Sequence, residues 1–143
     1  MEALLDILPN IIKFLDLHYF NISGQDLEKI LLASSHISYE LVFTGSDIII
    51  SEPMESILSS CTNPDPNYQN KCKFKIEHLG FDECTIDSLN GEDVGVNNLI
   101  DAIVHSELSE SLVKIDRWNC NISADKFRHL LAEKGITKIW IEE

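Results

Sequence analysis

The side chains best able to do chemistry are five histidines and four cysteines, and their spacing gathers them into no site. His18, His36, His78, His105 and His129 fall one to a segment. None sits in an H-E-x-x-H pattern or beside a G-x-S-x-G turn, so local spacing assembles no nucleophile, base and orienting group. Cys61, Cys72, Cys84 and Cys120 show no C-x-x-C or C-x-x-H step that would place two ligands on one turn, and no metal is expected. Cys61 and Cys72 bracket the polar stretch 62–71, where a disulfide would be the reading for a secreted chain; with no basic leader before the first apolar residues, free thiols are expected. The acidic stretch 87–95 resembles a calcium loop only faintly. Leu89 stands where an oxygen ligand is needed and Glu92 where the turn glycine belongs, which leaves a solvated loop as the expectation. Glycine-rich phosphate cradles are absent. These residues predict a protein that is not an enzyme and has no cofactor.

The elements that would position these side chains follow from composition and periodicity. At 143 residues, 44% apolar and 24% charged, the chain fits one globular domain, 1–143. Eleven Lys and Arg against 24 Asp and Glu give a formal charge of −13, which disfavours nucleic acid and anionic membranes and favours a basic partner. Aliphatic runs such as Ile48 to Ile50 are far short of a membrane span, and an intracellular, cytoplasmic protein is expected.

A repeat organises the chain. Ile12-x-x-Leu15-x-Leu17-x-x-Phe20-x-Ile22 places apolar residues at frame positions 1, 4, 6, 9 and 11, and Ile76-x-x-Leu79-x-Phe81-x-x-Cys84-x-Ile86 repeats it with apolar residues or cysteine throughout. Looser copies begin at Ser38 and Leu112, and a fifth runs Ile136-x-x-Ile139-x-Ile141. Between them lie triplets with the spacing of one helix face: Leu4-Ile7-Leu8, Leu27-Ile30-Leu31, Met54-Ile57-Leu58, Ile100-Ile103-Val104 and Phe127-Leu130-Leu131. Ser23, Ser51 and Ser123 are candidate helix caps, Ser23 with Asp26 as a capping box, and Gly135 is a candidate helix terminator. Short strands alternating with helices predict a parallel sheet, because each crossover returns the chain to the same end. Irregular repeat lengths are explained by insertions at about 62–71 and 87–98.

This frame resembles the leucine-rich repeat family, and its full-helix spacing is similar to the ribonuclease-inhibitor-like branch. The resemblance covers about Leu4 to Ile141 and is best at 76–86. It implies an α/β solenoid with about five short parallel strands on the concave side and helices on the convex side. Phe20 and Ser46 depart from the Asn or Cys of position 9. Arg117 falls on an inward position, so a one-residue slip of the fourth strand would exchange it with Trp118. The rival architecture is an open α/β sheet covered on both faces. Polar neighbours of the core positions, such as Asp16, Asp82, Asp116 and Glu142, favour one wet strand face.

On this reading Cys84 and Cys120 are small packing groups in the turn after the strand, and Asn21 and Asn121, each in an N-x-S triplet, serve turns and caps rather than glycans. The outward strand positions bring together both tryptophans, carboxylates and two histidines, the composition of a protein-binding patch. Asp16, His18, Tyr19, His78, Asp82, Asp116, Trp118 and Trp140 are the candidate partner-binding residues. The stretch from Glu77 to Val113 adds nine carboxylates with no Lys or Arg. The expected function is a non-catalytic module that binds a protein or peptide, with a basic surface favoured, through the concave strand face. The alternative is an accessory subunit docked through its ends or helical side.

Overall fold

The computed structural model describes residues 2–7, 13–54 and 74–143. The 62–71 insertion, the Cys61/Cys72 pair and most of the Met54-Ile57-Leu58 triplet lie outside the described residues. A short helix α1 (Glu2–Ile7) precedes strands β1 (Phe14–His18) and β2 (Asn21–Ser23), helix α2 (Gly24–Ala33), and strands β3 (Glu40–Thr44) and β4 (Asp47–Ile49). Strands β5 (His78–Asp82) and β6 (Thr85–Asp87) follow, then helices α3 (Glu92–His105) and α4 (Leu108–Ser111), strand β7 (Lys114–Asp116), helix α5 (Ala124–Glu133) and strand β8 (Trp140–Glu142).

Strands β1-β3-β5-β7-β8 form one parallel sheet in chain order, and β2-β4-β6 a second parallel sheet. In the first, Leu15, Leu41, Leu79, Ile115 and Ile141 are partners in one row. Leu17, Phe43 and Phe81 make the next inward row. Phe81 stacks on Phe43 at 5.9 Å, and Phe127 of α5 continues the aromatic row at 6.4 Å from Phe81. Leu27, Ile30 and Leu31 of α2, Leu99, Ile100 and Ile103 of α3, and Leu130 and Leu131 of α5 close over these rows and are all buried. Each such side chain taken from water stabilises the fold by roughly 1.5–3 kcal/mol.

The second sheet exists because the frame continues past the strand. Its middle row is Ile22, Ile48 and Ile86, the position-11 residues, all buried. Just after β1, β3, β5 and β7 the chain bends at Tyr19, Gly45, Glu83 and Asn119, which occupy one repeat position and share left-handed φ values of 60°, 61°, 56° and 53°. Position 9 follows the bend: Phe20, Ser46, Cys84 and Cys120. Ser46 Oγ accepts from the Phe20 amide at 3.1 Å, and the Cys84 thiol donates to the Phe43 carbonyl at 3.0 Å. Burial pushes the Cys84 thiol up to about 12 and raises Cys120 as well, as suits packing groups.

The helix signals act as read at Ser23, whose hydroxyl and Asp26 form a reciprocal capping box, and at Ser123, whose hydroxyl accepts from the Lys126 amide. Gly135 takes φ +81° just past α5, where the Ile136 amide returns to the Leu131 carbonyl. Ser51 accepts from the Leu89 amide at 2.8 Å, and the helix it was expected to cap lies outside the described residues. Two expectations are corrected. The 87–98 stretch is not all loop: α3 begins at Glu92, and Gly95 there has no room for a Cβ, which would stand 2.3 Å from the Asp87 carbonyl oxygen. The last strand is shifted by two residues, so Ile141 rather than Ile139 partners Ile115. A two-residue shift preserves the alternation, and Ile139 and Ile141 both stay buried.

Among the described residues no helix is long and apolar enough to cross a membrane.

Candidate functional site

The outward face of the five-stranded sheet collects the candidate residues in three rows. The middle row runs Asp16, Val42, Gly80, Asp116 and Glu142, paired in register across all five strands. On one side lie Phe14, Glu40, His78, Lys114 and Trp140; on the other, His18, Thr44 and Asp82. The residues of the middle row each follow an inward apolar residue, Leu15, Leu41, Leu79, Ile115 and Ile141, so the alternation that builds the core also places these groups on the opposite face.

All eight candidates lie on this face or at its rim. Asp16 accepts from the Thr44 hydroxyl at 2.8 Å and pairs with His18 Nε2 at 3.0 Å. Tyr19 is 77% exposed and lays its ring against Gly45, where a Cβ would stand 2.5 Å from the ring edge. His78 packs against Tyr39, ring centres 4.7 Å apart. Asp82 sits at the C-terminal end of β5, half-buried; desolvation, reinforced by Asp16, Glu142 and Glu83, raises its pKa against the pull of the Trp118 amide. Trp118 and Trp140 are 60% and 67% exposed.

The fourth strand keeps the frame's register. Trp118 faces out, and Arg117 stays half-buried, its guanidinium donating from Nε to the Ile122 carbonyl and from Nη2 to the Cys120 carbonyl, both at 2.8 Å. β7 is three residues long and ends at Asp116, just before Arg117. At the same edge Lys114 Nζ lies 3.4 Å from Asp116 and 2.9 Å from Glu142. Burial, then the hydrogen bond with Glu142, pushes the Asp116 carboxyl up to about 6 despite Lys114. Glu142 is lowered by its bonds to Asp116 and Lys114, so of this pair Asp116 takes up a proton first as pH falls.

Sequence reasoning missed Lys114 as the cation between two carboxylates, Tyr39 as the ring beside His78, and Arg128, which reaches from α5 to the Ile141 carbonyl at 3.2 Å on the outer edge of β8. Tyr39 precedes its strand and Arg128 belongs to a helix, so strand alternation marks neither. Asn121 is paired with backbone: its side chain accepts from the Ile86 amide and donates to the Ile86 carbonyl, each at 2.8 Å, along the edge of β6. Among the described residues no group of three or more His, Cys, Asp or Glu is placed to hold a metal ion. No family model, curated protein or solved structure gives a significant match to the chain.

Proposed function

We propose that the chain is a leucine-rich-repeat-like solenoid acting as a non-catalytic interaction module, with the outward face of its five-stranded sheet as the docking surface for a protein or peptide. Three features support the solenoid over an open sheet covered on both faces. The strands lie in chain order, a second short parallel sheet follows the same order, and one left-handed bend recurs four times at the same repeat position. The observation that carries the function is the face itself: two exposed tryptophans and exposed Tyr19 around a row of carboxylates, on a sheet whose opposite side is buried core. Large aromatics supply desolvated anchors and charges set orientation in such patches.

The test is a pair of variants. Trp118→Ala with Trp140→Ala, and separately Asp82→Lys, should each abolish or greatly weaken binding of peptides selected on the wild-type chain while leaving thermal unfolding nearly unchanged. Early melting of these variants would assign the residues to the core and overturn the reading.

A further inference from the structure

The centre of the outward face is low. Val42 and Gly80 are partners, and a Cβ on Gly80 would stand 3.0 and 3.1 Å from the two Val42 methyl groups. Val42 therefore lies flat across the glycine and forms an apolar floor, itself only 6% exposed. Carboxylates surround that floor: Asp16 in the same row on β1, Asp116 and Glu142 in the same row on β7 and β8, and Asp82 two residues along β5. Asp16 is engaged by Thr44 and His18, and Asp116 and Glu142 flank Lys114. Asp82 keeps one buried oxygen, Oδ1, with no hydrogen-bond partner.

We propose that this face takes an extended basic peptide laid across the strands, with one arginine or lysine side chain lowered onto the Val42–Gly80 floor and its cationic head paired with Asp82. The inference rests on the reading of the sheet face as a docking surface and adds the chemistry of its occupant. Charge complementarity commits it to a cation: Lys114 on this face is already held between two carboxylates, and the whole chain carries a formal charge of −13. An apolar floor suits the aliphatic stem of a long basic side chain. Trp118 and Trp140 at the rim offer ring faces to further cations of the same segment.

The probe is the synthetic peptide acetyl-Gly-Ser-Leu-Arg-Leu-Ser-Gly-amide and its twin with citrulline, a neutral isostere, in place of arginine. Both are titrated into the isotopically labelled chain at low salt, where charge pairing is least screened. The arginine peptide should move the amide resonances of Val42, Gly80 and Asp82 and bind roughly tenfold more tightly than its twin. Asp82→Asn should remove most of that preference, whereas Glu107→Gln with Glu110→Gln, on the α4 side, should preserve it. Equal binding of the twins, equal loss in the α4 variant, or no shifts at millimolar peptide overturns the proposal. A random twelve-residue peptide library, selected on the wild type and counter-selected on the double tryptophan variant, separates the two levels. Basic motifs lost with the tryptophans support both. Neutral or acidic motifs lost with them retain the docking face and overturn the basic occupant, and motifs indifferent to them overturn both.

Discussion

Arg117 stands where the earlier strands carry Leu17, Phe43 and Phe81, and two backbone carbonyls of its own turn make that place tolerable for a cation. Hydrogen bonds to a charged group contribute about 1.5–3 kcal/mol, and removing the donor leaves carbonyls unpaired. Arg117→Met should therefore destabilise the chain by about 2 kcal/mol in denaturant unfolding, despite being more apolar. A neutral effect would show that the carbonyls find water instead. Asp116 makes a pH prediction. Its carboxyl titrates at about 6 in the fold against an ordinary 3.8, so the folded state holds that proton more tightly than the unfolded chain does. This contribution to stability is present at low pH and declines as pH rises through the window between those values. The lowered Glu142 acts in the opposite sense and below 4.5, which leaves the upper part of the window to raised carboxyls. Unfolding free energies measured from about pH 4.5 to 6 should fall with pH in the wild type and run flatter in Asp116→Asn. Parallel curves would refute the assignment.

The recurring bend is the element on which both sheets depend. At Gly45 the left-handed φ of 61° coincides with the Tyr19 ring against the missing side chain, so Gly45→Ala meets both backbone strain and a clash. It should cost about 1–3 kcal/mol, read as a lowered unfolding midpoint. Glu83 has nearly the same φ, 56°, with its side chain exposed, and Glu83→Gly should change stability by less than about 1 kcal/mol in either direction. A Gly45→Ala variant as stable as wild type would mean that the turn has a second conformation. The strand frame and the capping serines were legible because each depends on residues within one turn or one strand. The bend was not, since Tyr, Gly, Glu and Asn share no chemistry and only their common φ relates them. The start of α3 was missed for a similar reason: Gly91 at its N-cap, with φ 110°, makes no side-chain cap bond, and the acidic, Asn-rich first turns look like loop.

Charge acts on the molecule as a whole. A formal −13 spread over 143 residues repels itself in the compact state more than in the expanded one. Raising sodium chloride from about 0.05 to 0.5 M shortens the screening length from above 10 Å to below 5 Å and should raise the melting temperature measurably. A fall would show that the ion pairs around Lys114 and Arg128 outweigh the general repulsion. The sequence by itself determined the alternation of strands and helices, the inward aliphatic columns, the capping serines and which residues leave the strands on the wet side. Burial and periodicity are written into neighbouring residues. Only the tertiary structure decided which outward groups meet: Thr44 with Asp16 across 28 positions, Lys114 with Asp116 and Glu142, Val42 flat over Gly80. Those encounters depend on strand register, and a displacement of two residues, as in β8, leaves every buried face buried while changing every neighbour across the sheet.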